Sequence, residues 1–517
     1  MMNRLLTFVC LVALSAMAKA QPYIDWQTVY GETALDEQAE AIVELPDGGY
    51  VVAGYSGGLF DYDYMILRLN ADHEVVWQQL LGGSSVDEAF DLALAPGGGF
   101  IVTGYSQSLD GDVGQNNGGI DTWVVKLNDA GEIEWSRVLG GSGEDFFRSV
   151  IALPDGNFLV AGYSDSADGD FTENLGYKDL WLVKLSAAGD VLWKRSYGGT
   201  GNDNASDIVL DAEKQQLVVI GSTSSTDGNI SFNHGGKDMW LLKFDTNGNL
   251  LWEKTYGGTF GDSGKSVALG ANGEAALIGD SISEDGDVTE NFGQDDIWIV
   301  RVDSTGALLW QRTIGAPASD NSRDVLIDPA TGHVYAVGIT YDHTVSPPNY
   351  IWDVNLIKLN GTTGSIIWTQ RFGGSQYDFG NSLLQNSNGK LVVAGYTDST
   401  DGDLSGGGYR QPALHGAHNV WIFATAEVII GLDTPENNPI PVAGAYIPAT
   451  RMLALQNPGN RPATLLVADM LGRITAQYTV APGFTGYVTL PILPKGIYPA
   501  AIYSSNGQKT TFKIAIP

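Results

Sequence analysis

Short apolar runs alternate with polar turns along most of this chain. Between residues 145 and 197, four runs rich in β-branched and aromatic residues lie at Asp145–Leu153, Phe158–Ser164, Asp179–Leu185 and Val191–Tyr197. Runs of this length that are bounded by glycine, aspartate and asparagine turns predict β-strands. No stretch has the apolar spacing of an amphipathic helix of useful length. The pattern therefore predicts an all-β fold.

This four-strand unit is repeated along the chain. Tryptophan marks the fourth run of each copy, at Trp26, Trp77, Trp135, Trp193, Trp252, Trp310 and Trp368. Aspartate opens the first run of each copy, at Asp36, Asp87, Asp145, Asp203, Asp262, Asp320 and Asp378. Four short strands in a unit of this length are typical of a β-propeller blade, and seven copies predict seven blades.

The phase of the repeat predicts how the ring closes. The chain starts with a fourth strand at Tyr23–Tyr30, and the last copy ends after its third strand at Trp421–Val428. We therefore expect a seven-bladed β-propeller over residues 21–430 that is closed by the N-terminal strand, which leaves no exposed sheet edge at the junction. Because tryptophan recurs in nearly every copy, we expect it to pack between sheets. An aromatic platform for sugar binding is the alternative.

The repeat also resembles a known family. Its pattern of G-Y-[ST]-x-[ST], then D-x-W with two hydrophobic residues and K-L, then G-G-x-x-x-D, is similar to the SBBP-type β-propeller repeat of bacteria. The resemblance covers residues 21–430 and implies a seven-bladed ring. It implies no particular ligand or reaction, because one fold hosts many functions.

The first twenty residues predict a signal peptide over residues 1–20. Arg4 gives a positive start, Leu5–Ala16 is apolar, and Ala18–Ala20 has the small-x-small pattern of a signal-peptidase site. The apolar run is too short to cross a bilayer, and no other stretch is long enough. We expect a mature protein that begins at Gln21, has no transmembrane segment and is secreted or held at the outer-membrane cell surface.

A second region follows the repeats. Residues 431–445 predict a linker, and the alternating short runs of residues 446–517 predict a small C-terminal β-sandwich. Three motifs, at Asp469–Ile474, Leu493–Tyr498 and Asn506–Ile514, resemble the type A C-terminal sorting domain of the type IX secretion system. The resemblance implies that the type IX machinery is a partner and that the domain is removed after export. An ordinary accessory sandwich is the alternative.

Charge narrows the classes of partner. The net charge is −32, and residues 21–432 hold 57 acidic and 20 basic side chains. Such a surface repels nucleic acid and anionic membranes and favours cations or basic partners, so we expect no nucleic-acid partner. The single cysteine, Cys10, lies in the predicted signal peptide. The mature chain therefore has neither disulfides nor thiolate metal ligands.

A loop with the pattern D-G-[DN]-x3-N recurs four times between second and third strands. Its polar residues are Asp110, Asp112, Asn116, Asp168, Asp170, Asn174, Asp227, Asn229, Asn233, Asp285, Asp287 and Asn291. Ca2+ prefers several oxygen ligands on a turn that glycine allows to bend sharply, so these loops are candidate calcium sites. The competing interpretation is structural, because Asp and Asn also cap their own backbone in turns.

A second set of polar residues stands four positions after each opening aspartate. Its members are Glu40, Asp91, Ser149, Asp207, Ser266, Asp324 and Ser382. If the first strands line the channel, these side chains form a ring that holds a cation or a basic partner. Alternatively they hydrogen-bond neighbouring blades.

No motif identifies a reaction, and no catalytic residue or further cofactor is predicted. The chain has no G-x-S-x-G elbow, H-E-x-x-H pair or Walker loop. We expect a non-catalytic binding, adhesion or scaffold module with a glycan or surface-protein ligand. The alternative is a polysaccharide-active enzyme, a lyase or glycoside hydrolase, with its site at one end of the channel. A calcium-stiffened structural module is a third possibility.

Overall fold

The computed structural model describes most of the chain. The described residues are 22–31, 35–58, 61–341, 351–404, 418–427, 443–447, 452–457, 463–468, 474–481, 484–489, 496–504 and 509–516. The predicted signal peptide therefore lies outside them, as do most of the predicted linker and parts of the three sorting-domain motifs. The chain divides into two compact units, of which the larger spans Ile24–Ala426.

The described residues of the larger unit form 28 strands. In chain order they are β1 (Pro22–Tyr30), β2 (Asp36–Glu44), β3 (Tyr50–Gly58), β4 (Asp61–Leu69), β5 (Val75–Leu81), β6 (Asp87–Leu94), β7 (Phe100–Ser106), β8 (Asp121–Leu127), β9 (Ile133–Leu139), β10 (Asp145–Ala152), β11 (Phe158–Ser164), β12 (Asp179–Leu185), β13 (Val191–Tyr197), β14 (Asp203–Asp211), β15 (Gln216–Thr223), β16 (Asp238–Asp245), β17 (Leu250–Tyr256), β18 (Asp262–Leu269), β19 (Ala275–Ser281), β20 (Asp296–Val302), β21 (Leu308–Ile314), β22 (Asn321–Ile327), β23 (Val334–Tyr341), β24 (Trp352–Leu359), β25 (Ile366–Phe372), β26 (Asp378–Gln385), β27 (Leu391–Thr397) and β28 (Asn419–Glu427). Two short 3-10 helices lie at Ala271–Gly273 and Gly402–Leu404.

These strands form seven four-stranded sheets. Six sheets take four consecutive strands each, from β2–β5 to β22–β25, and the seventh has the order β1-β28-β27-β26. The all-β, seven-bladed β-propeller predicted from the repeat is confirmed. In that seventh sheet the N-terminal strand lies beside β28, the third strand of the last copy.

The second and third strands of each blade are buried on both faces. In β12, for example, every residue from Asp179 to Leu185 is buried. The third-strand tryptophans Trp123, Trp181, Trp240, Trp298 and Trp421 are among the largest fully buried side chains. Each apolar cluster draws residues from two neighbouring blades, because each sheet covers the face of the next. The role of these tryptophans is therefore packing between sheets, and they do not form a sugar-binding platform.

The fourth-strand tryptophans join each blade to the next one. The indole N–H of Trp135 donates to the carbonyl of Ala187 at 3.0 Å, in the third-to-fourth-strand turn of the following blade. Gly189 in that turn has a φ of +84°, and a Cβ there would lie 2.8 Å from the indole. Only glycine combines this left-handed backbone with so close a contact.

The register of blade one differs from the prediction. Glu37 pairs with Ser56, as Asp87 pairs with Ser106 in blade two. Glu37 is also buried, so it occupies the position predicted for Asp36. The reason is that β2 has one more residue before its β-bulge than β6. The spacing of the sequence copies could not show this.

In the smaller unit, the described residues after Glu427 form two sheets. Its strands are β29 (Ala443–Ile447), β30 (Met452–Asn457), β31 (Ala463–Ala468), β32 (Ile474–Val480), β33 (Phe484–Thr489), β34 (Gly496–Ser504) and β35 (Lys509–Ile516). One sheet has the order β29-β30-β33 and the other β32-β31-β34-β35. Among the residues with described structure, no helix is long and apolar enough to cross a bilayer.

Candidate functional site in the central channel

A cavity of about 470 Å³ occupies the centre of the ring, and the first strands of all seven blades line it. Neighbouring strands are antiparallel, so each first strand starts at the end of the ring that carries the loops between second and third strands. We call this the loop end of the channel. Residues early in a first strand therefore lie nearest to it.

Each first strand contains a β-bulge that leaves one residue unpaired. In β10, for example, Phe147 pairs with Gly162 and Ser149 with Ala161, which leaves Arg148 between them. We call the seven unpaired residues the bulge ring. They are Glu40, Phe90, Arg148, Ser206, Lys265, Arg323 and Asn381. All seven line the cavity, and so does the residue that follows each of them. Bulges commonly redirect side chains next to functional sites.

The residues after the bulge form a second ring, which we call the serine–aspartate ring. Its members are Ala41, Asp91, Ser149, Asp207, Ser266, Asp324 and Ser382. All seven residues predicted to face the channel line the cavity. In blade one the shifted bulge places Glu40 in the bulge ring and Ala41 in the serine–aspartate ring.

Hydrogen bonds connect the serine–aspartate ring from blade to blade. The Ser149 hydroxyl lies 2.9 Å from Asp91 Oδ2 and 3.0 Å from Asp207 Oδ1. The Ser266 hydroxyl lies 3.1 Å from Asp207 Oδ2 and 2.7 Å from Asp324 Oδ1. Each hydroxyl has one proton for two carboxyl neighbours, so a protonated carboxyl group would complete the network.

Backbone groups bind the same three carboxylates. Asp91 Oδ2 accepts the N–H of Val150 at 2.7 Å, and equivalent bonds join Asp207 to Val267 and Asp324 to Leu383. Each bond links an even-numbered blade to the following blade. The aspartates of this ring therefore agree with the structural interpretation, in which they hydrogen-bond neighbouring blades.

Burial changes the proton affinity of these groups. Desolvation is the main cause in each case: it raises the pKa of Asp91 to about 7 and that of Asp324 to about 6, and it raises the pKa of Asp207. Backbone N–H donors oppose the shift because they stabilise the carboxylate. The ring thus holds protons at a pH where exposed carboxyl groups are ionised.

The bulge ring carries three cations, Arg148, Lys265 and Arg323. Arg323 Nε donates to Asn381 Oδ1 at 3.1 Å, and Asn381 Nδ2 donates to Glu40 Oε1 at 3.1 Å. Lys265 Nζ lies 3.8 Å from Asp280 Oδ2. The two bonds made by Asn381 connect blade six, through blade seven, to blade one. In blade one, Ala41 interrupts the serine–aspartate ring.

Arg148 is the exception among the three cations. Its guanidinium carbon lies 5.0 Å from the ring centre of Phe90 and 5.1 Å from that of Phe146. Among the described residues it has neither a hydrogen-bond acceptor nor an ion-pair partner, although the side chain is exposed to the channel. Its five N–H donors are therefore available to a ligand.

Aromatic rings stand beside two of the cations. In blades two and three, Phe146 stacks on Tyr105 with ring centres 5.0 Å apart and on Tyr163 at 5.6 Å. In blade seven, Phe379 stacks on Tyr396 at 4.6 Å, and Arg323 lies 5.8 Å from the Phe379 ring centre. These two groups of aromatic side chains belong to different blades of the propeller.

The predicted calcium loops lie at the loop end and bind protein groups. The first aspartate of each loop accepts a backbone N–H from the linker that leads into its own blade. The pairs are Asp110 with Ser84, Asp168 with Ser142, Asp227 with Thr200 and Asp285 with Thr259. The second position accepts a linker glycine N–H, through Asp112, Asp170, Asn229 and Asp287.

The asparagines of these loops mainly donate to backbone carbonyls. Their acceptors are Ser106 for Asn116, Tyr177 for Asn174, Thr223 for Asn233 and Ser281 for Asn291. Within the described part of the chain, no group of three or more His, Cys, Asp or Glu side chains has the arrangement of a metal site. The bonds support the turn-forming interpretation, and calcium binding stays a prediction.

Sequence reasoning missed the cations of the bulge ring. They immediately precede the polar positions that the repeat made conspicuous, but the bulge position differs from copy to copy, as Phe90, Arg148 and Ser206 illustrate. A search for variation at a fixed repeat position would have found them.

Comparison with known proteins gives distant similarities. No protein-family model matches the chain. The chain is 27% identical over 277 residues to the Regulatory protein FlaEY of Caulobacter vibrioides, covering 50% of this chain and 28% of that protein. It is 23% identical over 323 residues to the Uncharacterized WD repeat-containing protein L264 of Acanthamoeba polyphaga mimivirus, covering 53% of this chain and 21% of that protein. The alignments thus span about a quarter of the length of these relatives.

Comparison with solved structures gives weak similarities. The quinohemoprotein alcohol dehydrogenase ADHIIG of Pseudomonas putida HK5 has a TM-score of 0.40 and 12% identity, over 82% of this chain and 78% of that chain. Sqt1 of Chaetomium thermophilum has a TM-score of 0.39 and 11% identity, over 79% of this chain and 99% of that chain. At these TM-scores neither similarity bears on function.

Proposed function

We propose that this protein is a binding or scaffold module that takes its ligand at the loop end of the central channel. One observation carries the proposal: two adjacent rings of the channel differ in how far their polar groups are already hydrogen-bonded within the protein. The aspartates of the serine–aspartate ring are bound to backbone N–H groups of the next blade. The bulge ring, one residue away in each strand, brings three cations and Phe90 to the cavity lining. A rigid concave site with a few polar groups is suited to ligand recognition.

The relatives agree with a binding role at the level of repeat type. One of them is named as a WD repeat-containing protein, and repeats of this class form propeller blades. The rigid ring supplies the geometry, and the residues that vary between copies supply the specificity.

We also propose that the module acts outside the cell. The support is the sequence: a signal-peptide pattern over residues 1–20 and three motifs that resemble a type IX sorting domain in residues 446–517. The two sheets after Glu427 are compatible with the small β-sandwich that this assignment requires. We propose that the N-terminal strand closes the ring, which is supported by the bond from Trp421 Nε1 to Gln27 Oε1 at 3.0 Å.

Export can be tested in a bacterium with a type IX system. The full chain and a variant that lacks residues 431–517 would be compared by protease accessibility on intact cells. The full chain should reach the surface, and the truncated chain should stay in the periplasm. Equal surface exposure of both would contradict the sorting assignment and leave the binding proposal intact.

Binding and catalysis are separated by measuring both on the same samples. The full chain would be incubated with a panel of polysaccharides and surface proteins, with retention measured by affinity electrophoresis and products by chromatography. We expect saturable retention without new products. Release of shortened saccharides by the wild type would favour the enzyme.

One observation favours a polysaccharide-active enzyme as the second candidate. Glu40 lines the cavity, and desolvation, opposed by the attraction of Arg323 and Arg148, raises its pKa to about 7. A carboxyl group that is half protonated near neutral pH is suited to general acid catalysis. In that case Glu40→Gln should abolish product formation and keep binding.

A further inference from the structure

We propose that the channel binds an acidic oligosaccharide, whose carboxylate groups are held by Arg148, Lys265 and Arg323 of the bulge ring and whose sugar rings pack on the neighbouring aromatic side chains. This names the ligand class of the proposed function and rests on it.

The first argument is the convergence of positive charge in a strongly acidic unit. Residues 21–432 hold only 20 basic side chains against 57 acidic ones, yet three of the 20 stand at equivalent positions of one ring. Desolvation lowers the pKa of Lys265, and repulsion by Arg148 and Arg323 lowers it further against the attraction of Asp280. The three cations therefore lie within reach of one another's fields, and an anion between them would stabilise all three.

The second argument is the unused donor capacity of Arg148. Its guanidinium packs against two phenylalanine rings and has no hydrogen-bond acceptor among the described residues. A guanidinium fork matches the two oxygens of a carboxylate, and the pair forms charge-assisted bonds that are stronger than neutral ones. The aromatic contacts hold the side chain in place, so that little rotamer entropy is lost on binding.

Glu40 and Glu88 attract the Arg148 guanidinium, but the carboxyl groups of the cavity do not occupy its hydrogen-bond donors. Asp91, Asp207 and Asp324 lie in the other ring and accept backbone N–H groups. Glu40 accepts from Asn381 Nδ2 at 3.1 Å. Each of the four acids thus has a donor of its own, and Arg148 is left without an acceptor among the described residues.

The third argument distinguishes a saccharide from other anions. The cavity of about 470 Å³ lies in the range of about 300–1,000 Å³ that holds small-molecule ligands. Phe90, Phe379 and Tyr396 are aromatic members of its lining, and C–H groups of sugar rings pack favourably on aromatic side chains. A peptide C-terminus brings one carboxylate for three cations, whereas a uronate chain brings one carboxylate for each sugar.

Calorimetric titration of the full chain with trigalacturonate tests the proposal, with maltotriose as the neutral ligand of equal length. We expect trigalacturonate to bind at least about tenfold more tightly than maltotriose. Arg148→Gln should weaken trigalacturonate binding at least about tenfold, because it removes the free guanidinium fork, and Arg148→Lys should recover part of the loss. Arg195→Gln makes the same chemical change on the exposed fourth strand β13 and should leave binding within about twofold of wild type.

Stability measurements keep the result interpretable. Arg148 makes no hydrogen bond to the described protein and contributes only its packing on Phe90 and Phe146, so Arg148→Gln should unfold cooperatively, within about 4 °C of the wild-type temperature. Equal affinity for the acidic and neutral trisaccharides, or unchanged binding by a folded Arg148→Gln variant, would overturn the proposal. Tighter binding of triglycine than of trigalacturonate would overturn it in favour of a peptide carboxylate.

The experiment separates this inference from the function on which it rests. If trigalacturonate fails but another member of the ligand panel is retained by the channel, the inference is wrong and the binding function stands. If trigalacturonate is cleaved, the non-catalytic function is wrong, while the role of Arg148 in binding is still decided by its variant.

Discussion

The serine–aspartate ring and the bulge ring are neighbours in every first strand, yet they follow different rules. The first repeats serine and aspartate around six blades, and its aspartates bind the backbone of the next blade. The second has six residue types at its seven positions and leaves Arg148 without a hydrogen-bond acceptor in the described chain. Identity between copies marks what holds the ring together, and variation between copies marks what is available to a ligand.

The strongest test of the repeated positions is a tryptophan of the third strand. Trp240→Ala should destabilise the propeller by about 3–5 kcal/mol, because it leaves a cavity between two sheets. Trp240 is fully buried in an apolar cluster with residues such as Leu242 and Ile208. Urea denaturation followed by fluorescence would measure the change. A loss below about 1 kcal/mol would contradict the assignment of these residues to the core.

The repeated third-strand aspartates predict that stability falls as pH rises. In each of them the pKa is raised to about 6, and desolvation is the main cause. These residues are Asp63, Asp121, Asp179, Asp238 and Asp296. Their folded-state pKa lies above the unfolded value of about 3.9, so folding takes up protons. This contribution is complete below about pH 4 and is lost as the pH rises through about 6.

Thermal unfolding at several pH values checks the sign. The unfolding temperature should be higher at pH 5 than at pH 8. Aspartates with a lowered pKa, such as Asp245 with its Asn249 and Asn247 donors, act in the opposite direction only at lower pH, so they do not reverse this trend. A rise in unfolding temperature from pH 5 to pH 8 would show that the buried carboxyl groups do not control the profile.

Substitutions at two neighbouring residues of β14, Asp207 and Ser206, allow a direct comparison of the two rings. Asp207→Ala should cost about 1–3 kcal/mol, because it leaves the Val267 N–H without its acceptor and removes one of the two carboxyl neighbours of the Ser149 and Ser266 hydroxyls. Ser206→Ala, one residue away in the bulge ring, should change the free energy of unfolding by less than about 0.5 kcal/mol. Equal losses in the two variants would remove the distinction between a structural and an available ring.

The smallest expected effect concerns the loops that also predict calcium. Asp168→Ala should cost about 1 kcal/mol, since it removes the acceptor of the Ser142 N–H at 2.7 Å. The loss should be the same with calcium and with a chelator if the carboxylate only caps the backbone. A loss that appears in calcium alone, together with a calcium-dependent unfolding temperature of the wild type, would establish the metal site.

Much of the fold could be predicted because its cause is local and repeated. The turn residues, the four apolar runs and the spacing of Trp135 and its equivalents each report on contacts made in every blade, so seven copies carry the same information. The pairing register of the strands within a blade was harder to predict from the sequence. The displacement of Asp36 by Glu37 depends on one additional residue before a bulge, which the spacing alone does not reveal.

The candidate site was only partly predictable. The polar ring was recognised because Asp207 and its equivalents recur, whereas Arg148, Lys265 and Arg323 each look like an isolated charge in the sequence. Loops in blades six and seven, where the copies differ most, include residues 342–350 and 405–417, which lie outside the described residues.

By itself, the sequence determined the number of blades, the strand order within each blade and the burial of the periodic tryptophans. These properties follow from apolar periodicity and turn chemistry, which act over a few residues. Only the tertiary structure decided which side chains meet in the channel, because a β-bulge redirects one residue per blade and ring closure brings residues more than a hundred positions apart around one cavity. That convergence turns three scattered cations into a candidate binding site.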